Sequence, residues 1–248
     1  MSYAELHFHL LPGIDDGPPS LEASVELARA AAAEGTRTIV ATPHVNQTCP
    51  NDVGELPGRV REVAERLRRE RIPIEVRCGA ELAPEMVAGL SPAKLETIAH
   101  GPAGSRWLLL EAPLTGADDG FSTAADKLRR QGFAIVVAHP ERALSNPHIG
   151  WRALERELHA GSAVQINAWS VAGLYGDRIR LNAFRVLDAA TRAVIASDAH
   201  GPERMPALGL GLDALAASGV RDPGRLAASV PRALLERGLP PPAAELAA

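Results

Sequence analysis

Trp107-Leu108-Leu109-Leu110-Glu111 and, past an amphipathic stretch, Ala134-Ile135-Val136-Val137-Ala138-His139 are apolar runs that each stop at a side chain able to hold a metal. A short run without polar alternation is expected of a strand covered on both faces, as in a parallel sheet or a filled barrel. Working outward, Ala4–Phe8, Thr38–Ala41, Ile74–Arg77, Ala163–Ile166 and Ala193–Ala196 have the same character. Helical periodicity lies between these runs, over Leu21–Glu34, Leu56–Glu70, Ala117–Gln131, Trp151–Ala160 and Ile179–Ala190. Ser20 is placed to cap the first helix, and Gly35, Gly132 and Gly161 stand where helix ends want a left-handed residue. The alternation predicts βαβ units and a mainly parallel sheet. Seven candidate strands with no evident linker favour one barrel-like domain over residues 1–248, with residues 237–248 expected as a tail containing Leu239-Pro-Pro-Pro-Ala243.

Composition bounds the function. The chain has 248 residues, 46% of them hydrophobic, with a net charge of -4, which gives no bulk electrostatic case for nucleic acid or an anionic membrane. No apolar run is long enough to span a bilayer, and no basic-then-apolar leader is evident. Cys49 and Cys78 do not make a disulfide framework, so a reduced, cytoplasmic setting is expected. The Arg-rich stretch Arg59–Arg71 mixes Arg with Glu at helical spacing, as a solvated amphipathic face does.

Candidate ligands recur at the run ends. His7 and His9 are two apart in a strand, so both imidazoles leave one face, and Asp198-Ala-His200 repeats that spacing at the last strand. An isolated His-x-His pair is better explained by a solvent-facing strand end. Two pairs at opposite ends of the chain share one site most easily if the sheet closes. His44, Glu81, Glu111 and His139 each follow an apolar run, and a carboxylate ending a buried strand needs a partner. In α/β barrels these C-terminal strand ends form the active face. Such sites accept manganese, iron, zinc or cobalt. Arg142 and Arg204, three and four residues past a histidine, can each offer a guanidinium to a phosphate, although a surface-loop role suits their spacing equally. His100, His148 and His159 fall outside the pattern and are expected at the surface or in loops.

His7-Phe-His-Leu-Leu-Pro-Gly-Ile-Asp-Asp-Gly17 resembles the first motif of the PHP (polymerase and histidinol phosphatase) superfamily. More narrowly, it is similar to the bacterial manganese-dependent protein-tyrosine phosphatases of capsular and exopolysaccharide operons. Ala41-Thr-Pro-His44, Gly79-Ala-Glu81, Ala138-His-Pro-Glu-Arg142, Gln165-Ile-Asn-Ala168, Gly173-Leu-Tyr-Gly176 and Ser197-Asp-Ala-His200 resemble that group's motifs in order and spacing. The resemblance implies a distorted (β/α)7 TIM-like barrel with three divalent metals, manganese first among them. It assigns one metal to His7, His9, Glu81 and Asp198, a second to Glu81, Glu111 and His139, and a third to Asp16, His44 and His200. Asp16 enters only through this resemblance, since Asp15-Asp16-Gly17 by itself is an ordinary turn. One departure is visible: the group carries Asp two residues before its first His, where this chain has Glu5.

The reaction implied is hydrolysis of a phosphate monoester by metal-activated water, with Arg142, and less firmly Arg204, neutralising phosphoryl charge. A Cys-x5-Arg phosphate loop is absent, since Glu55 and Pro84 stand where Cys49 and Cys78 would need Arg. The implied substrate is phosphotyrosine in the tail of a bacterial tyrosine kinase, with no nucleic-acid partner and no membrane insertion. The rivals are a small-molecule PHP phosphatase such as histidinol phosphatase, a nuclease, and a non-catalytic scaffold that binds the kinase.

Overall fold

The computed structural model describes residues 2–114, 119–144 and 147–240, without the side chains of 147–149. Among the described residues, nine parallel strands run in chain order: β1 (Tyr3–Phe8), β2 (Thr36–Ala41), β3 (His44–Val45), β4 (Glu75–Cys78), β5 (Glu81–Leu82), β6 (Trp107–Glu111), β7 (Ala134–Ala138), β8 (Ala163–Asn167) and β9 (Ala193–Ala196). They pair in the orders β1-β2-β4 and β3-β5-β6-β7-β8-β9. The expected strands are therefore present, and two short ones are added. Pro43 lacks an N–H and interrupts the ladder after β2, so the chain resumes as β3; β4 resumes as β5 past Gly79-Ala80. Backbone bonds bridge the gap, from Gly79 N to Ala41 O (2.9 Å) and from Glu81 N to Pro43 O (3.0 Å). His44 and Glu81, expected just past the ends of apolar runs, consequently lie in register as a β3–β5 pair. At the other end of the order, Asp198 N donates to His7 O (3.1 Å) and His9 N to Ala199 O (3.0 Å).

The apolar runs bury both faces, as their lack of alternation requires. Trp107, Leu109, Ala134, Val136, Ala138, Ala163 and Val194 form one cluster, while the intervening Leu108, Leu110, Ile135, Val137, Val164, Ile166 and Ile195 join a larger one with the helices. Helices Leu21–Ala33, Leu56–Arg69, Asp119–Arg130, Pro147–His159 and Asp177–Ala189 answer the predicted ones, although Ala117, the predicted start of the third, lies outside the described residues. Ser20 caps the first helix by accepting from Ala23 N (3.3 Å), and Gly35, Gly132 and Gly161 adopt φ of 101°, 89° and 82°. Helix Leu56–Arg69 buries Leu56, Val60, Val63 and Leu67 and turns its arginines outward, where Arg66 pairs with Glu70 (2.7 Å).

Helices Pro92–Ile98, Leu208–Ala217 and Ser229–Arg237 were not foreseen. In Leu208-Gly-Leu-Gly-Leu212 the glycines hide the helical pattern. Gly211 is needed for packing, because a Cβ there would sit 2.8 Å from Ala168 Cβ. The last helix covers the N-terminal ends of the strands, opposite the predicted ligands: Trp107 Nε1 donates to Leu234 O (2.9 Å). The segment expected as a tail starts inside this packing. Leu239 is fully buried and its N–H bonds Ser105 O (2.8 Å), while residues 241–248 lie outside the described residues. His100 also corrects expectation. Two backbone bonds with Trp107 (3.0 and 2.9 Å) draw it inside, and burial, then Arg77 and Arg106, push its pKa down to about 3. His159 is exposed as expected; the side chain of His148 lies outside the described residues.

Candidate metal centre

All nine predicted ligands, His7, His9, Asp16, His44, Glu81, Glu111, His139, Asp198 and His200, fall into overlapping groups at the C-terminal ends of the strands. His7, His9, Glu81 and Asp198, the set the resemblance assigns to one metal, stand close together. His7 Nε2 stands 3.2 Å from Glu81 Oε2, 3.2 Å from Asp198 Oδ1 and 3.3 Å from His9 Nε2. His9 Nε2 stands 3.4 Å from each of the same two oxygens. His7, His9 and Asp198 can bring one ligand atom each within 4.8 Å of one another, as can His7, Glu81 and His139, a spacing that ligands of one metal ion have.

Hydrogen bonding supports the same conclusion. His7 Nδ1 meets Gln165 Oε1 (2.8 Å) and His9 Nδ1 meets Asp15 Oδ2 (2.8 Å), so both imidazoles donate outward and aim Nε2 inward. Glu81 Oε2 and Asp198 Oδ1 are buried without hydrogen-bond partners in the same space. Buried polar atoms left this way are costly unless something fills the gap. Divalent cations accept such imidazole nitrogens and carboxylate oxygens, so the residues present fit a metal.

Charge acts in the same direction. Burial alone would keep His7 and His9 neutral. Asp198 and Glu81 hold the pKa of His7 above its ordinary value, and Asp15, Asp198 and Glu81 hold that of His9 well above. Burial opposes ionisation of Glu81 and Asp198 too, yet His7 leads the neighbours that keep both well below the usual carboxylate range. Glu111 is pushed up to about 7 by burial and by the adjacent Glu81. Two carboxylates that resist joint ionisation are what a dication relieves.

The remaining ligands surround this core. Glu81 Oε1 stands 2.7 Å from His139 Nε2, and Glu81 Oε2 stands 2.9 Å from His44 Nδ1. Asp16 Oδ1, on the exposed rim, lies 3.4 Å from His44 Nε2 and 3.3 Å from His200 Nε2, and the His200 hydrogen bond holds its pKa down. The groupings differ in detail from those the resemblance implies. Glu81 is grouped with His7 and His139, and separately with His44 and Glu111, while His9 joins Asp16, His44 and His200. Two ligands, His139 (φ 33°) and Asp198 (φ 51°), have left-handed backbones that L side chains rarely adopt. Such strain persists only where the surroundings impose it.

Three supporting residues lie in the quoted motifs but were given no role from sequence. Asp15 accepts from His9, from His44 N (3.0 Å) and from Gly17 N (2.9 Å). Gly17 admits that approach, since a Cβ there would lie 2.8 Å from Asp15 Oδ1. Gln165 and Asn167 link two ligands. Gln165 accepts from His7 and donates to Asn167 Oδ1 (2.8 Å), and Asn167 Nδ2 donates to Asp198 Oδ2 (2.8 Å). Their signal was two amides at strand spacing, on one face of an otherwise apolar run. Gln165→Met keeps the length but loses these bonds and the one accepted from His139 N (3.2 Å), and is expected to weaken manganese binding by about 10–100-fold. Calorimetric titration of the metal-free protein measures this, and an unchanged Kd would remove Gln165 from the support.

Glu5 is fully buried below this layer. Its Oε2 accepts from Ser197 N (2.7 Å), Oε1 has no partner, and burial raises its pKa to about 8. The longer side chain thus braces β1 against the end of β9. Arg142 and Arg204 both reach the mouth. Arg142 Nη1 donates to Asp198 Oδ2 (3.2 Å), and Arg204 Nη1 approaches the same oxygen (3.4 Å) and Tyr175 Oη (3.4 Å).

Fold and site together define the class: an α/β protein whose parallel strands carry, at their C-terminal ends, a His/carboxylate cluster fitted to metal ions. The chain belongs to the CpsB/CapC family of capsular polysaccharide synthesis, whose model matches residues 3–222. It is 32% identical over 203 residues to the tyrosine-protein phosphatase YwqE of Bacillus subtilis, covering 79% of this chain and 76% of that protein. Its structure is similar to one from the crystallographic work on YwqE and on CpsB of Streptococcus pneumoniae, described as unique metal-dependent tyrosine phosphatases. The TM-score is 0.79 at 26% identity, over 96% of this chain and 98% of that one. A histidinol phosphate phosphatase from Lactococcus lactis shares the fold alone, with a TM-score of 0.52 at 11% identity over 89% and 95% of the two chains.

Proposed function

We propose that this chain is a metal-dependent protein-tyrosine phosphatase that acts on the tail of a bacterial tyrosine kinase in capsular or exopolysaccharide synthesis. The observation that carries the proposal is the cage of His7, His9, Glu81 and Asp198, with two arginines converging at its mouth. The names of its relatives support the substrate class. Three divalent cations, manganese first, belong to the same proposal, with the other two held by Glu81, Glu111 and His139 and by Asp16, His44 and His200. So do a single domain over residues 1–248, a cytoplasmic setting and a closed, distorted (β/α)7 barrel. The bonds between β1 and the residues after β9, and the continuation of β2 and β4 into β3 and β5, support closure. Among the described residues, no helix is long and apolar enough to cross a membrane.

Cations held at this site supply Lewis acidity and lower the pKa of water, so that hydroxide is available near neutral pH. Arg142 and Arg204 orient the phosphate and offset charge on its non-bridging oxygens. A phenolate, whose conjugate acid has a pKa near ~10, leaves with little need of a proton donor. The cysteines take no part in this scheme. Burial pushes the Cys78 thiol up to about 11, the opposite of what a nucleophile needs. Arg142→Ala is expected to lower turnover of p-nitrophenyl phosphate by about 100-fold while metal content is unchanged. Unaltered kinetics would exclude Arg142 from the site.

The proposal is tested by elemental analysis of the purified protein together with parallel assays of a phosphotyrosine peptide and histidinol phosphate. Preference for the peptide supports it. Preference for histidinol phosphate favours the small-molecule rival, and binding of the kinase tail without hydrolysis favours the scaffold.

A further inference from the structure

Beside the metal ligands the mouth widens into a cleft of about 600 Å³. Asp16, His200 and Arg204 line it on the charged side, and Trp169 and Tyr175 line it with aromatic surface. Both rings are held in place. Trp169 Nε1 donates to Met205 O (3.1 Å), tying the turn after β8 to the loop after β9. The Arg142 guanidinium lies 4.9 Å from the centre of the Tyr175 ring, and Arg204 reaches Tyr175 Oη (3.4 Å). The two rings stand 5.8 Å apart at 37°, so they form one continuous wall. An aromatic wall with one edge against phosphate-binding arginines suits a ligand that is anionic at one end and aromatic at the other.

Resting on the phosphatase reading above, we infer that this wall seats the aryl ring of the substrate ester, and that Trp169 determines specificity for aryl over alkyl phosphates. The arginines recognise any phosphate, so they cannot discriminate between esters. An aryl group displaces water from the Trp169 face and gains ring–ring contact, whereas a small alkyl group leaves that face wet. Tyr175 is less suited to a test because it also touches both arginines. None of the contacts described for Trp169 involves a predicted metal ligand or either arginine.

The test uses the metal-loaded full chain, with phenylphosphonate and methylphosphonate as competitive inhibitors of p-nitrophenyl phosphate hydrolysis. Trp169→Ala is expected to raise Ki for phenylphosphonate on the order of tenfold and to move Ki for methylphosphonate by less than about twofold, with Trp169→Phe restoring most of the difference. If Trp169→Ala loses its metal or its folded spectrum, Trp169→Leu, which refills the wall without an aromatic face, takes its place. Equal shifts for both inhibitors, or none, would overturn the inference and leave the phosphatase reading standing. A metal-loaded wild type that hydrolyses no phosphate ester would overturn both.

Discussion

Stripping the protein with EDTA is expected to abolish hydrolysis of p-nitrophenyl phosphate and to lower the unfolding midpoint, with manganese restoring both. The reason lies in the cage. Without a cation, Glu81 Oε2 and Asp198 Oδ1 are buried with no hydrogen-bond partner, and two imidazoles face each other 3.3 Å apart. Protons can take up part of that charge, since the pKa values of His7 and His9 are raised, but a proton supplies no Lewis acidity. A ligand present at about a thousandfold excess over its Kd stabilises the native state by ~4 kcal/mol, worth about 10 °C in a chain of this size. Thermal denaturation and activity, followed during chelation and add-back, check both parts. Full activity in protein shown by elemental analysis to lack metal would defeat the mechanism.

Glu81→Gln is expected to reduce kcat/KM by about a thousandfold and to lower metal content, in a protein that still folds. No other predicted carboxylate ligand lies this close to four histidines. Its two oxygens lie within 3.4 Å of His7, His9, His44 and His139, and the side chain is fully buried. Glutamine fills the same volume and preserves the β3–β5 register, so the change falls on charge. Breaking a buried pair costs about 3–5 kcal/mol, which as lost transition-state stabilisation is on the order of 10²–10⁴-fold. Wild-type kinetics with normal metal content would show that Glu81 is not a shared ligand.

Much of this architecture is legible in the chain because its causes are local. Runs such as Trp107–Glu111 and Ala134–Ala138 bury both faces, so their apolar continuity identifies them as parallel strands without knowledge of their neighbours. The candidate ligands stand at the ends of those runs because a side chain must leave the apolar layer before it can hold charge. Other elements were obscured where local pattern and packing diverge. Helix Leu208–Ala217 contains Gly209 and Gly211, poor helix formers, one of which is required by close contact with Ala168. His100 looks like a loop histidine until its backbone pairs with Trp107.

Residue order alone established the strand–helix alternation, the ligand-competent side chains other than Asp16, which came from the family resemblance, and their common end of the sheet, because hydrophobic period and side-chain parity are properties of a few consecutive residues. The tertiary structure decided how those side chains are shared. Only folding brings Gln165 from β8 to His7 on β1, places Asp15 beneath His9, and sets Trp169 and Tyr175 beside the arginines. Apart from Asp15 and His9, which are six residues apart, these are contacts between segments distant in the chain, selected by the fit of strand register and loop length rather than by any local preference. A cluster of metal-competent side chains is thus visible in the sequence, while the cage that orients it and the wall beside it are properties of the fold.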